Sequence, residues 1–183
     1  MTNVKRSAAR RYAPTVEQHD HVDRIMSQWA AVRPDVDSSP IAVVGRVSRL
    51  SRVLDRVLAE NFARHGLENW MYDVLATLRR VGEPHELTAG ELVRQSMVTT
   101  GAITNRIDRL EQRGLVERAA AADRRKVLVR LTPTGKDLVD AVVTDHMATE
   151  RAALSALGEG ERAQLAGLLR TLLVALGDGE DDR

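Results

Sequence analysis

The sequence predicts a mainly α-helical fold that contains one small β-hairpin. Apolar residues recur at helical spacing along most of the 183 residues, and strand-like apolar runs occur only between residues 115 and 131. Because 43% of the residues are hydrophobic and only 3% are aromatic, the core should consist mainly of aliphatic side chains. A chain of this length is expected to form one domain with a substantial core.

Three helices are predicted before residue 82. The first covers about 16–32 and ends at Arg33-Pro34, because the residue before a proline is disfavoured in a helix. The second covers about 41–65, and the third covers about 68–81. The second helix carries a seam of apolar residues at spacings of four and three, formed by Val43, Val47, Leu50, Leu54 and Val57.

Two short helices joined by a tight turn follow these three. Thr88-Ala89-Gly90-Glu91 is a capping box, the pattern that begins a helix. The pattern breaks around residues 95–98, and a second helix is expected from about Thr99 to Arg113, ended by Gly114. This arrangement is a helix-turn-helix, whose second helix fits the major groove of DNA.

The second of these helices has one apolar side and one polar side. Its apolar stripe consists of Ile103, Ile107 and Leu110. The other side carries Gly101, Thr104, Asn105, Asp108 and Gln112. Thr and Asn suit contacts with base edges and phosphates, but an ordinary amphipathic helix with a solvated polar face has the same pattern. The helix alone leaves both interpretations open.

The hairpin that follows favours DNA binding. Strands are predicted at residues 115–118 and 127–131, and between them lies the turn AAAADRRK, which ends in three cations: Arg124, Arg125 and Lys126. From Arg94 to Arg130 there are nine Arg or Lys and four Asp or Glu, a local charge of +5. A basic hairpin after a reading helix indicates a winged helix-turn-helix, whose arginines can enter a narrow minor groove.

The last two helices indicate self-association. Thr132 caps a helix that begins with Pro133 and is expected to reach about Leu157, and a further helix extends to about Leu176. The last helix has a wide leucine stripe, formed by Leu165, Leu168, Leu169, Leu172, Leu173 and Leu176. Burial between two copies of the chain is one solution, and burial within one chain is the alternative.

The wing sequence resembles that of the MarR family of bacterial transcription regulators. The wing of that family carries Asp-x-Arg and continues into an apolar strand that ends in Leu-Thr-x-x-Gly. This chain has Asp123-Arg124-Arg125 and later Leu131-Thr132-Pro133-Thr134-Gly135. The resemblance extends from about Gln28 to Leu176, and it implies an obligate homodimer that binds a palindromic operator and releases it when a small ligand binds.

The resemblance also implies roles for individual residues. Arg125 would enter the minor groove, and Asp123 would orient the wing. The predicted DNA-contacting residues are Thr99, Thr100, Gly101, Thr104, Asn105, Arg109, Arg124, Arg125 and Lys126. Five segments are therefore expected in chain order: a disordered basic arm at 1–15, N-terminal helices for dimerisation and ligand binding at 16–65, the DNA-binding domain at 66–131, C-terminal dimerisation helices at 132–176, and an acidic tail at 177–183.

Trp29, Asp73 and Arg106 are candidate effector-binding residues. Each has an ordinary structural interpretation: Trp29 as core, Asp73 as the partner of an arginine, and Arg106 as a phosphate contact. These three positions resemble those of the MarR subgroup with an additional N-terminal helix, which responds to urate or to tricarboxylates. The expected effector is a small anionic or aromatic molecule such as citrate, aconitate, urate or salicylate. A further neutral polar residue expected of a urate site has no clear counterpart.

The sequence offers nothing for catalysis, a metal or a cofactor. There is no cysteine, the five histidines lack metal-ligand spacing, and no phosphate-binding or hydrolase motif is present. No apolar run approaches the length of a membrane span and no signal peptide is recognised, so a cytoplasmic location is expected. Two other functions remain open: a ligand-independent architectural DNA-binding protein, and a helical dimer that binds only proteins.

Overall fold

A computed structural model describes residues 19–96, 103–120 and 127–179. Over these ranges the chain has seven helices and three strands, in the order α1 (His21–Val32), α2 (Ile41–Arg64), α3 (Asn69–Arg80), β1 (Glu86–Thr88), α4 (Ala89–Gln95), α5 (Ile103–Gln112), β2 (Val116–Ala120), β3 (Val127–Leu131), α6 (Pro133–Ala153) and α7 (Glu159–Ala175). The chain divides into an N-terminal unit, residues 1–52, and a C-terminal unit, residues 53–183.

In the N-terminal unit, α1 begins five residues later than the sequence predicted. The carboxylate of Asp20 accepts hydrogen bonds from the backbone N–H groups of Val22 (2.7 Å) and Asp23 (3.0 Å), while Asp23 bonds back to the N–H of Asp20. This reciprocal capping box fixes the start at His21, so the prediction of a helix from Val16 was wrong. Arg46 of α2 binds both acids, at 2.8 Å from Asp20 and 2.6 Å from Asp23.

The C-terminal unit has one hydrophobic core. Aliphatic side chains predominate in it, as the composition predicted, and α3 contributes more of its residues than any other helix. The buried members are Phe62, Leu67, Met71, Tyr72, Val74, Leu75, Leu78, Leu87, Leu92, Ile107, Leu110, Leu115, Val116, Val129, Leu131, Val139 and Val142. The helix-turn-helix, the sheet and the first half of α6 therefore share a single core.

The sheet has a strand that the sequence analysis did not predict. Its strand order is β1-β3-β2, and both pairs are antiparallel. Leu87 of β1 is opposite Val129, and it directly precedes the Thr88 capping box. Strand β2 also continues past Arg118 through Ala120, because Ala119 and Ala120 still pair with β3 through the backbone. The strand was therefore predicted too short, and the turn too long.

The start of α6 explains the glycine of the Leu-Thr-x-x-Gly pattern. The hydroxyl of Thr132 accepts a hydrogen bond from the N–H of Gly135 (3.0 Å) and donates one to the carbonyl of Gly114 (2.7 Å). A Cβ at Gly135 would lie 1.9 Å from the carbonyl oxygen of Leu115, which is far inside van der Waals contact. Only glycine allows the first turn of α6 to approach the Leu115 backbone this closely.

The helix α6 ends at Ala153, four residues before the predicted end at Leu157. Leu154 is the C-cap, and the N–H of Leu157 bonds to the carbonyl of Leu154 (3.1 Å) in a turn that precedes Gly158. The predicted end at about Leu157 was therefore too late, because residues 154–157 form turns rather than helix.

Apolar side chains on α2 and α7 remain exposed. None of the α7 side chains is buried by the part of the chain that the structure describes. The exposed large apolar residues of these two helices are Val43, Val44, Val47, Leu50, Val53, Leu168, Leu172, Leu173 and Val174. Within the described ranges, none of the helices has the combination of length and apolar character that crossing a membrane requires.

Candidate nucleic-acid interface

The first helix of the predicted helix-turn-helix is confirmed. The hydroxyl of Thr88 accepts a hydrogen bond from the N–H of Glu91 (3.2 Å), and the Glu91 carboxylate accepts one from the N–H of Thr88 (2.8 Å). This capping box begins α4, and Leu92 anchors the helix because its side chain is fully buried. The helix ends at Gln95 with Ser96 as its C-cap, consistent with the predicted break.

The described part of the reading helix, α5, buries the predicted side. Ile107 and Leu110 lie in the core, and Ile103 packs against it. Thr104 and Asn105 are exposed on the other side. This orientation is the one that contact with base edges requires, because the apolar stripe anchors the helix while its polar side stays open.

Several predicted DNA-contacting residues lie outside the described residues. They are Thr99, Thr100 and Gly101, which precede α5, and the wing residues Arg124, Arg125 and Lys126. Asp123, which was expected to orient the wing, also lies outside the described residues. The two strands that carry the wing tip are described, and their antiparallel pairing extends to Ala120 opposite Val127.

Two arginines of α5 contact an aromatic residue that the sequence analysis overlooked. The guanidinium carbons of Arg106 and Arg109 lie 5.5 and 4.9 Å from the centre of the Trp70 ring. The indole N–H of Trp70 donates to Glu68 (2.8 Å), and the other carboxylate oxygen of Glu68 accepts from Arg109 (2.5 Å). Contact of Arg109 with a phosphate would therefore compete with Glu68. Trp70 is one of only two tryptophans, and this scarcity was the available signal in the sequence.

Other arginines of the basic stretch from Arg94 to Arg130 form ion pairs within the C-terminal unit. Arg118 of β2 binds Asp108 and Glu111, both on α5, and so joins the hairpin to the reading helix. Arg130 of β3 binds Glu86 of β1 (2.5 Å), which lies outside the stretch counted from the sequence. The local charge of +5 therefore overstates the positive charge that is available to DNA.

The three candidate effector-binding residues lie on three different helices. Trp29 of α1 is 47% exposed and lines a small cavity of about 290 Å³ in the N-terminal unit. Asp73 of α3 is half-buried and lines a larger cavity in the C-terminal unit. Arg106 of α5 is half-buried, and its Nη1 is closed to solvent with no hydrogen-bond partner in the described structure. No ion pair joins Arg106 to Asp73 in that part of the chain, and the guanidinium contacts Trp70 instead.

The order of these elements defines the class of protein. A capped helix, an inward-anchored second helix and an antiparallel hairpin, packed on one core with an extra strand, form a winged helix-turn-helix. In proteins of this class the second helix enters the major groove of DNA.

The comparisons with known proteins identify the family. A family model described as the MarR family matches residues 65–126. The transcriptional regulator PecS of Dickeya dadantii is 40% identical over 149 residues, which cover 81% of this chain and 90% of PecS. The chain belongs to the MarR family and is a DNA-binding transcriptional regulator.

Two solved structures of transcriptional regulators share the fold. A MarR variant from E. coli, complexed with operator DNA, has a TM-score of 0.65 and 26% identity, with coverage of 79% of this chain and 97% of that one. Bordetella bronchiseptica BpsR, whose DNA binding is regulated by 6-hydroxynicotinic acid, has a TM-score of 0.64 and 27% identity, with coverage of 71% and 91%. These matches confirm the predicted fold class.

Proposed function

We propose that the protein is a homodimeric repressor that binds a palindromic operator and is released by a small organic acid. The observation that carries this proposal is the inward-anchored reading helix α5, which presents Thr104 and Asn105 and also carries a half-buried cation, Arg106. A ligand that binds Arg106 would act on the same rigid helix that reads DNA. The regulation of BpsR by an aromatic acid supports a response of this kind.

The exposed apolar faces of α2 and α7 support self-association. Leu168 and Leu173 are 59% and 50% exposed, and a wide leucine stripe in water is unfavourable unless a partner covers it.

Leu168→Glu should convert the dimer to a monomer in light scattering, because it places a charge in the proposed interface. Ala163→Glu adds the same charge on the opposite side of α7 and should leave a dimer. An unchanged mass for Leu168→Glu would place the interface elsewhere.

Base reading is assigned to α5, and minor-groove contact to the wing. Thr104→Ala or Asn105→Ala should reduce discrimination between operator and random DNA by about 1–3 kcal/mol for each lost base contact. Arg125→Ala should instead weaken binding to both DNAs and lower the salt slope by about one unit per lost phosphate contact. Equal losses on the two DNAs for the α5 variants would assign those residues to phosphates.

Arg106 is the proposed anchor of the effector. Its Nη1 is buried with no hydrogen-bond partner in the described structure, and a desolvated guanidinium donor is a favourable site for a carboxylate. In the DNA-binding state we expect Asp73 to pair with Arg106, and an anionic effector would compete for the same cation. Trp29 is proposed as the third member of this set. Release requires the effector to favour the DNA-free state, and a coupling of about 1–3 kcal/mol would be typical.

Titration of citrate, aconitate, urate and salicylate against a preformed operator complex tests the switch. An effective acid should release the wild type, whereas Arg106→Ala should remain on DNA at the same concentration. Asp73→Ala should respond weakly. Arg49→Ala, which removes an exposed arginine of α2, is the matched control and should respond as the wild type does. Release of Arg106→Ala at the wild-type concentration would show that Arg106 is only a DNA contact.

The alternative is an architectural protein that binds DNA without responding to a ligand. Trp70 favours this alternative in one respect, because its contacts give Arg106 and Arg109 a structural role that needs no effector. If none of the four acids changed the operator affinity or the thermal stability of the wild type, the architectural function would be preferred.

A further inference from the structure

Glu68 is an unusual N-cap residue for α3. An N-cap residue normally has a short side chain that accepts hydrogen bonds from the first N–H groups of the helix, as Asp20 does in α1 and Thr88 in α4. The longer Glu68 side chain makes no such bond to α3. Its carboxylate accepts instead from the Trp70 indole (2.8 Å) and from Arg109 of α5 (2.5 Å), 41 residues further along the chain. The start of α3 therefore contributes an acid to the reading helix.

Arg109 lies on the exposed side of α5 that carries Asn105. The two residues are four positions apart, so their side chains lie on the same face of the helix, one turn from each other. The Arg109 side chain is 48% exposed. A guanidinium binds carboxylates and phosphates with the same pairs of N–H donors. The group that contacts Glu68 is therefore also suited to a DNA phosphate beside the base-reading positions.

Glu68 is an anion that is already in place before DNA arrives. The hydrogen bond from Trp70, and after it that from Arg109, lowers the pKa of Glu68, so the carboxylate is charged at neutral pH. The Trp70 ring also contacts the Arg109 guanidinium, at 4.9 Å from the ring centre, and so orders both members of the ion pair. The apparent affinity for a ligand falls with the fraction of protein whose binding group is free. An ordered pair lowers that fraction for Arg109.

We infer that Glu68 competes with a DNA phosphate for Arg109, and that it thereby lowers the affinity of the protein for operator and random DNA alike. Both DNAs are affected because phosphates are common to them. The inference rests on the proposed contact of Arg109 with DNA and adds the acid that limits this contact. The role of Glu68 differs from that of Trp70, which supports α5 by contacting both Arg106 and Arg109.

Glu68→Gln tests the inference in the full-length protein. Gln keeps an oxygen that can accept from the Trp70 indole but removes the charge that holds Arg109, so the support of α5 by Trp70 is retained. The affinity for a random-sequence duplex, measured by fluorescence anisotropy, should rise about twofold to fivefold, the range that corresponds to one exposed ion pair. With this probe the result does not depend on which operator the protein recognises or on whether it is a repressor. Circular dichroism checks the fold.

Substitution of Arg109 shows whether Glu68 acts through this arginine. Arg109→Ala should weaken binding and lower the magnitude of the salt slope by about one unit, because one phosphate contact is lost. The double variant Glu68→Gln/Arg109→Ala should bind as Arg109→Ala does, since no contact then remains for the acid to limit. The control for net charge is Glu60→Gln, which removes the same charge from an exposed position of α2. It should bind as the wild type does.

The inference fails under three separate results. Unchanged or weaker binding by Glu68→Gln would mean that the ion pair does not compete with DNA. A gain in affinity that persists in the double variant would mean that Glu68 repels DNA directly. If Arg109→Ala bound DNA with the affinity and salt slope of the wild type, the proposed DNA contact of Arg109 would itself be wrong, whereas the first two results leave that contact in place.

Discussion

Leucine has opposite environments in the core of the C-terminal unit and on α7. Leu75, Leu78 and Leu110 are fully buried, whereas Leu168 and Leu173 on α7 are at least half exposed. Both groups recur at helical spacing in the sequence, and the periodicity alone does not distinguish them. This difference shows that one chain is enough to bury the core of the helix-turn-helix. The apolar face of α7, in contrast, is not buried by the described part of the chain.

The largest effect is expected from Gly135→Ala, which disturbs the completed core. Its Cβ would lie 1.9 Å from the Leu115 carbonyl, so α6 and the β2 end of the hairpin must separate. We expect a loss of about 3 kcal/mol or more in the free energy of unfolding, measured by denaturant titration. Gly167→Ala on α7 is the control, because its Cβ would meet no atom within 4 Å, and it should stabilise the helix by about 0.5–1 kcal/mol. Equal stability of Gly135→Ala and the wild type would contradict the close packing.

A pair of leucine substitutions tests the comparison directly. Leu75→Ala should lower the free energy of unfolding by about 2–5 kcal/mol at every protein concentration, because it opens a cavity in the core. Leu172→Ala, on the exposed face of α7, should lower it mainly through weaker self-association. Its effect should therefore grow as the protein is diluted. A loss that does not depend on concentration in Leu172→Ala would mean that α7 is covered by its own chain.

A smaller effect is expected from Trp70→Phe. The ring remains, but the hydrogen bond to Glu68 is lost and the attraction to Arg106 and Arg109 is weaker. We expect a loss of about 1 kcal/mol in stability and weaker operator binding in a fluorescence anisotropy titration, because α5 is held less firmly. Trp29→Phe, in the N-terminal unit, should leave operator affinity unchanged. If Trp29→Phe weakened operator binding more than Trp70→Phe does, Trp70 would not be the residue that positions α5.

The smallest effect is expected from Asp140→Asn, and it should depend on pH. The hydrogen bond from Arg79, followed by that from Lys136, lowers the pKa of Asp140 to about 2 from its ordinary value of 3.8. The charged form therefore stabilises the fold fully above pH 4, and this contribution disappears as the pH falls from about 4 to 2. The stability difference between Asp140→Asn and the wild type should shrink over that interval in urea titrations. Asp137→Asn, at an exposed neighbour on α6, should show no such change.

The helices could be predicted from the sequence because their signals are local. The Thr88 capping box, the Thr132 cap and the inward stripe of α5 depend on residues within one or two turns. Strand β1 could not be predicted in the same way, since three residues are too few to show an alternating pattern. Its strand conformation depends on pairing with β3, about 40 residues later.

The candidate site was predicted less completely than the fold. Counting charges identified a basic stretch, but such a count assumes that every arginine is free to contact DNA. In the structure Arg109 pairs with Glu68 and Arg130 with Glu86, and both acids lie outside that stretch. The cavity that Asp73 lines also depends on two helices, α3 and α6, that are far apart in the chain. Spacing within one helix does not reveal which residues of another helix will face it.

The pairing of β1 with β3 has a consequence for synthesis on the ribosome. Glu86 emerges long before its partner Arg130, and Leu131 must also arrive before its N–H can bond to the carbonyl of His85 (3.1 Å). Until then Leu87 lacks the strand that covers it, so the nascent chain exposes an unpaired strand edge while both helices of the DNA-reading motif are already made. We expect chains released before residue 127 to aggregate or to be degraded, which pulse-chase of stalled nascent chains would detect. A transcript that ends within the region encoding the wing would then yield no stable DNA-binding fragment to compete with the complete regulator.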